Sequence, residues 1–252
     1  MKKSLIMIVA ATLVCVSASA QVKGVRVFPE DPVSPTLDQY FNPCTAEPVA
    51  PLADGFVQRW TLLDPIAKPE IRSNTLFTDT WLKEEFSKEY FEGQKTILPQ
   101  DGQKVKLYEK AKLPGDTQKV KVDKKAKLTW HSFDANRYNV KLYRFATGLG
   151  LRPTEGLFLA VTVINCPEDM TVRMAVGSNS ASMWWLDGEE VILLSGDRRM
   201  VVDDCVSKEI TLKKGKNILR GAVINGPGMS DFCVRFLDKA GKPVTNFTIS
   251  NQ

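Results

Sequence analysis

From Leu157 to the C-terminus the chain is a succession of short apolar or alternating runs, each closed by a turn signal, and few folds accommodate that pattern. The runs are LFLAVTVI from Leu157, TVRMAVG from Thr171, ASMWWL from Ala181, EVILL from Glu190, SKEITL from Ser207, NILRGAVI from Asn217, DFCVRFL from Asp231 and VTNFTI from Val244. Between them stand Asp187-Gly188, Ser195-Gly196-Asp197, Lys214-Gly215, Asn225-Gly226-Pro227-Gly228 and Lys239-Ala240-Gly241. Runs this short suit strands, and no long helical pattern is interleaved to carry parallel crossovers. The segment therefore predicts an all-β domain, an antiparallel β-sandwich.

Upstream, Phe56 to Leu63 is a β-rich run closed by Asp64-Pro65 and reads as a first strand. Between Asp79 and Phe91 the apolar residues Leu82, Phe86 and Tyr90 recur every four positions among charges, which predicts a short amphipathic helix with Asp79 or Thr80 as N-cap. In the lysine-rich stretch that follows, Val105/Leu107 and Val120/Val122 alternate with lysines around Pro114-Gly115-Asp116, the pattern of a hairpin with one polar face. Nine lysines lie between Lys104 and Lys127. A solvated edge hairpin, whose lysines deter edge-to-edge pairing, is a simpler reading than a basic surface for an acidic polymer.

The N-terminus carries Met1-Lys2-Lys3, an apolar run from Leu5 to Val16, and Ser17-Ala18-Ser19-Ala20 before Gln21. A basic start, an apolar run too short for a bilayer and a small-x-small site predict a signal peptide over 1–20, cleaved after Ala20. Val14 before Cys15 is not the small residue that lipid modification prefers. The expected product is an exported bacterial protein, periplasmic, cell-surface or extracellular. Residues 21–55 hold Pro29, Pro32, Pro35, Pro43, Pro48 and Pro51 and read as a proline-rich arm, leaving 56–252 as the sandwich domain. The formal charge of +5 includes Lys2 and Lys3, so the remainder is too weakly basic to argue for nucleic acid, and no second apolar stretch could serve as a transmembrane segment.

Cys44, Cys166, Cys205 and Cys233 remain after cleavage. In an oxidising compartment four cysteines allow two bridges in three pairings, and buried free thiols are the other reading. There is no CxxC and no Cys/His cluster for zinc.

The phrase MAVGSNSASMWWLDGEEVILL, with a strand ending near Gly177 and a tryptophan strand running into Asp187-Gly188, resembles the galactose-binding-like jelly rolls and, more distantly, PA14-type domains. ITLKKGKNIL, an apolar strand, a Lys-x-Gly turn and Asn before another apolar strand, continues the resemblance, and AVINGPGMSDFCVRFLDKAGKPV is similar to the closing strands. The resemblance covers roughly Phe158 to Val244 and implies a jelly roll with the helix and Lys-rich hairpin as additions. Similar modules accompany secreted polysaccharide-degrading enzymes, so it also implies a non-catalytic module for a polysaccharide or oligosaccharide. PA14-like domains often place paired aspartates before the tryptophan strand to hold calcium. Here Ser178-Asn179-Ser180-Ala181 has no carboxylate, so no metal or other cofactor is expected. Asp203 and Asp204 read as a solvated turn.

Successive strand residues face opposite ways, so Trp184 goes with Ser182 and Leu186, and Trp185 with Met183. One tryptophan belongs to the core. The other packs under a second layer or is an exposed platform for a sugar ring, and Trp184 is taken as that platform. Loops gather at the ends of such a sandwich, which makes Arg198, Arg199, Asn225 and Asp231 candidates for hydrogen bonds to hydroxyls. Catalytic signatures are missing: no G-x-S-x-G, no P-loop and no H-E-x-x-H occurs, and His131 with Ser132 and Asp134 is too local to form a triad. The alternatives are a polysaccharide-acting esterase or glycosidase, whose carboxylate pair has no sequence signature, and a structural subunit with a protein partner at the cell surface.

Overall fold

A computed structural model describes residues 36–69, 71, 78–226 and 228–252; the expected signal peptide, its cleavage site and the first part of the proline-rich arm lie outside them. In chain order the elements are β1 (Phe41–Pro43), β2 (Arg59–Leu63), β3 (Ile66–Ala67), α1 (Asp79–Ser87), β4 (Lys104–Tyr108), β5 (Val122–Ala135), α2 (Leu142–Gly148), β6 (Gly156–Cys166) and β7 (Met170–Ser178). There follow β8 (Ser182–Leu186), β9 (Glu189–Leu194), β10 (Cys205–Leu212), β11 (Gly215–Asn225), β12 (Phe232–Leu237) and β13 (Thr248–Ser250). The large sheet runs β1-β5-β2-β6-β11-β8-β9, with β3 and β13 also on β6 and β4 on β5, and a second sheet runs β10-β7-β12. The fold is an all-β antiparallel sandwich, as the turn-punctuated runs predict.

Alternation explains which residues meet. From β6, Phe158, Ala160 and Ile164 point into the space between the sheets, where they join Trp60, Trp184, Leu219, Val172, Met174, Val234 and Phe236. The alternate residues Leu157, Leu159 and Val161 point the other way, onto a second cluster with Trp130, Met183, Ala222 and Ile224. A sheet that is apolar on both faces needs a cover on each. The outer cover is α1 and the segment after it, which contribute Leu82, Phe86, Tyr90 and Phe91.

The N-cap of α1 is Thr78 rather than Asp79 or Thr80; its Oγ1 accepts the Trp81 N–H at 3.4 Å, and the helix stops at Ser87. Glu85 anchors the layer, accepting from Lys68 Nζ at 2.5 Å, from Lys88 Nζ at 2.6 Å and from the Tyr90 hydroxyl. Burial pushes its carboxyl up, but these three donors outweigh that and hold it below the usual glutamate value.

The lysine-rich hairpin is present, with Lys106 opposite Lys127 and Tyr108 opposite Val122. Its second strand does not end there. It continues as far as Ala135 and becomes a member of the large sheet. The lead-in is likewise more than an arm: β1 pairs with β5, Phe41 is buried in the inter-sheet core, and Val49 bridges to Ile249. The sandwich thus extends N-terminally of residue 56. Helix α2, which periodicity does not announce, adds Leu142, Phe145 and Ala146 to the same core. Cys44, Cys166, Cys205 and Cys233 are free thiols, and burial pushes Cys44, Cys166 and Cys233 up to about 11.

Candidate functional site

The parity of the tryptophan strand is as expected, but its orientation corrects the expected platform. Trp184 is 0% exposed, its ring edge-on to Trp60 at 5.8 Å and to Phe232 at 5.0 Å, and its Nε1 donates to Ser182 Oγ at 3.0 Å. The inner face of β8 looks onto the small sheet, so a ring there is core and reaches no ligand. Gly221, opposite Trp184 in the ladder, makes room for it: a Cβ at that position would lie 2.7 Å from Trp184 Cε3. Trp185 takes the outer face, half-buried, with Phe86 of α1 edge-on at 6.5 Å.

Beside Trp185 the helical cover leaves a cavity of about 140 Å³ between α1 and the sheet, lined by Phe86, Lys95, Trp130, Val161, Trp185 and Arg220 among others. A space of this size holds about one six-membered ring. Arg220 sits directly across from Trp185 in the β11–β8 ladder and is 9% exposed. Its Nη2 donates to the Ile97 carbonyl at 2.6 Å, while its buried Nη1 has no acceptor. Among the described residues no carboxylate pairs with it, and burial lowers its pKa from the ordinary arginine value. Trp130, 1% exposed, also carries a buried Nε1–H without an acceptor.

Arg220 and Trp130, both in the lining of one aromatic cavity, thus each carry a buried donor without a protein acceptor. The lining includes no carboxylate, histidine or cysteine. It offers stacking faces and N–H donors, which suit binding.

The loop candidates are dispersed. Arg198 pairs with Asp204, through Nε at 3.0 Å, and donates through Nη1 to the Ser195 carbonyl at 2.8 Å. Arg199 is exposed in the same loop. Asn225 is 0% exposed and spends its Nδ2 on the Pro153 and Gly228 carbonyls at 2.7 and 3.0 Å, which shapes its own loop. Asp231 lines a separate hollow of about 320 Å³ with Tyr40, Tyr143, Arg144 and Asn179. Burial raises its carboxyl, against the Asn139 hydrogen bond at 2.7 Å and the charge of Lys141. None of the four reaches the tryptophan cavity.

His131 Nε2 lies 2.9 Å from Asp64 Oδ1, but the Ser132 hydroxyl is shared with Thr61 at 2.8 Å, away from the imidazole, so no triad is assembled. Asp203 pairs with Arg235 and Asp204 with Arg198, which gives those adjacent carboxylates structural work, and among the described residues no His/Cys/Asp/Glu group could hold a metal ion.

Sequence reasoning passed over Arg220 and Trp130. A signal for Arg220 existed: it interrupts the outward series Ile218, Ala222 and Ile224, so one charge occupies an otherwise apolar strand face.

No family model and no curated protein matches the chain. Among solved structures it is similar to the PA14 sugar-binding domain from an RTX adhesin, at 10% identity and a TM-score of 0.41, over 76% of this chain and 96% of that one. It is also similar to the PA14 domain of the MpAFP antifreeze protein, at 12% identity and a TM-score of 0.33, over 47% of this chain and 74% of that one. The β-glucosidase from Kluyveromyces marxianus, in complex with glucose, is similar at 22% identity and a TM-score of 0.32 over 46% of this chain; the match spans only 14% of the enzyme. Overlaps this shallow say nothing about activity, and the chemistry of the cavity stands on its own residues.

Proposed function

We propose that the chain is an exported, non-catalytic carbohydrate-binding module, accessory to glycan breakdown, and that a sugar ring enters the outer-face cavity and stacks on Trp185. The observation that carries this reading is the half-buried indole of Trp185 at a ring-sized cavity walled by Phe86 and Trp130. An aromatic ring suits the apolar face of a pyranose, and N–H donors at the same wall suit its oxygens. The lack of a carboxylate pair or histidine in the lining supports binding without turnover. Among the described residues no helix is long and apolar enough to cross a membrane, and the signal-like N-terminus supports export.

A glycan array probed with the chain lacking residues 1–20, followed by calorimetry on the positives, tests the reading. Binding that Trp185→Ala removes is the expected result. Sustained hydrolysis of a bound glycan, or glycan affinity indifferent to Trp185→Ala, overturns it.

A further inference from the structure

The cavity carries more information than its shape. Arg220 is a cation held nine-tenths out of water with no carboxylate paired to it among the described residues, and burying an unpaired charge is costly unless something else supplies the opposite charge. Its one hydrogen bond, Nη2 to the Ile97 carbonyl, fixes the guanidinium plane without neutralising it. Its Nη1 is a buried donor without a protein acceptor, and Trp130 in the same lining carries another, Nε1. A neutral sugar would satisfy a donor through a hydroxyl and leave the charge unpaired. A carboxylate brings several lone pairs and the missing charge together, and arginine is the side chain whose planar fork matches it. Lys95 in the same lining adds a second cation, and none of the lining residues is acidic.

We infer that the cavity selects a uronic acid, with the sugar carboxylate pairing with the Arg220 guanidinium while the ring stacks on Trp185. This rests on the glycan-binding reading above and names the class of sugar. Carboxylate and cation are both fully ionised near neutral pH, so the interaction involves no proton transfer; it exchanges hydration for a charge-assisted pair.

The test uses a galacturonic acid trimer, its methyl ester, and neutral oligosaccharides of equal length, titrated at low and high salt. The acid is expected to bind roughly ten- to a hundredfold more tightly than the ester, the range for a hydrogen-bonded charge, and that advantage should shrink in high salt. Arg220→Met should bring the acid down to the level of the ester while leaving the thermal midpoint unchanged or raised, because it removes a buried unpaired charge and keeps an unbranched side chain.

Equal binding of acid and ester overturns the inference, as does an acid preference that survives Arg220→Met. If neutral oligosaccharides bind and the acid does not, the glycan reading stands and the uronate inference falls. If neither acid nor neutral sugars bind, both fall. A drop in the midpoint of Arg220→Met beyond that of Trp185→Ala would mark Arg220 as a structural prop and overturn its role as a ligand contact.

Discussion

Truncating the two neighbouring tryptophans separates core from site. Trp184 is enclosed by Trp60, Phe232 and the flat backbone of Gly221, so Trp184→Ala leaves a closed void as well as losing the transfer free energy of the indole. Such truncations cost about 3–5 kcal/mol. Ser182 Oγ loses its donor as well, a smaller term of about 1 kcal/mol. For a domain of this size each kcal/mol moves the midpoint by about 2–4 °C, which with both terms places the Trp184→Ala melt roughly 8–24 °C below the parent. Trp185 already faces a cavity, so its truncation enlarges an open space and loses mainly the transfer term, roughly 2 kcal/mol. Urea unfolding followed by far-ultraviolet circular dichroism avoids the confounding loss of tryptophan fluorescence. If Trp184→Ala keeps the parent's urea midpoint, or Trp185→Ala proves the more damaging of the two, the assignment of faces on β8 is wrong.

Other perturbations probe the remaining contacts. Gly221→Ala puts a methyl group into the Trp184 ring and should destabilise by about 1–3 kcal/mol with a shifted tryptophan emission, whereas an unchanged melt would show that the ring does not rest there. Glu85 has a depressed folded-state pKa, so its contribution is present above the ordinary glutamate value near 4.5 and is lost as the pH falls through the lower folded value. Glu85→Gln should therefore cost roughly 3 kcal/mol at neutral pH and flatten the acid limb of stability, read from urea midpoints taken down to about pH 3; an unaltered acid limb would count against the anchor. Cys44, Cys166 and Cys233, with thiols pushed up to about 11, should resist alkylation at about pH 8 in the folded protein and react in urea without reductant. Mass spectrometry that finds them bridged would refute the free-thiol assignment.

The parts of the fold that were legible are those governed by local chemistry. Turn residues such as Asp187-Gly188 and Lys214-Gly215 mark where chains reverse, and the runs between them, from Gly156–Cys166 to Phe232–Leu237, are observed as strands. Face parity was legible for the same reason, since alternation separates Trp184 from Trp185 whatever the fold. Which parity faces inward was not. That depends on where β10-β7-β12 packs and on α1 closing the opposite face, both set by partners remote in sequence. The proline content of the lead-in similarly hid β1, because Pro43 can end an edge strand without donating to the ladder.

The loop residues lie apart from one another, and a physical reason separates them from Arg220. A polar side chain in a loop has nearby carbonyls and charges to satisfy, and Arg198 does so with Asp204 and the Ser195 carbonyl. Its polarity is absorbed by the fold. Arg220 occupies the middle of a strand, where backbone groups are taken up by the ladders to β6 and β8, and the outer-face cluster around it is apolar. There, among the described residues, it finds one carbonyl and no carboxylate. Nothing in the local pattern requires a charge at that position, since Ile218, Ala222 and Ile224 show what the same face takes when only packing decides. In a double-faced apolar strand, a charge that breaks the series and stays unpaired after folding is the better pointer to a ligand than any polar residue in the turns.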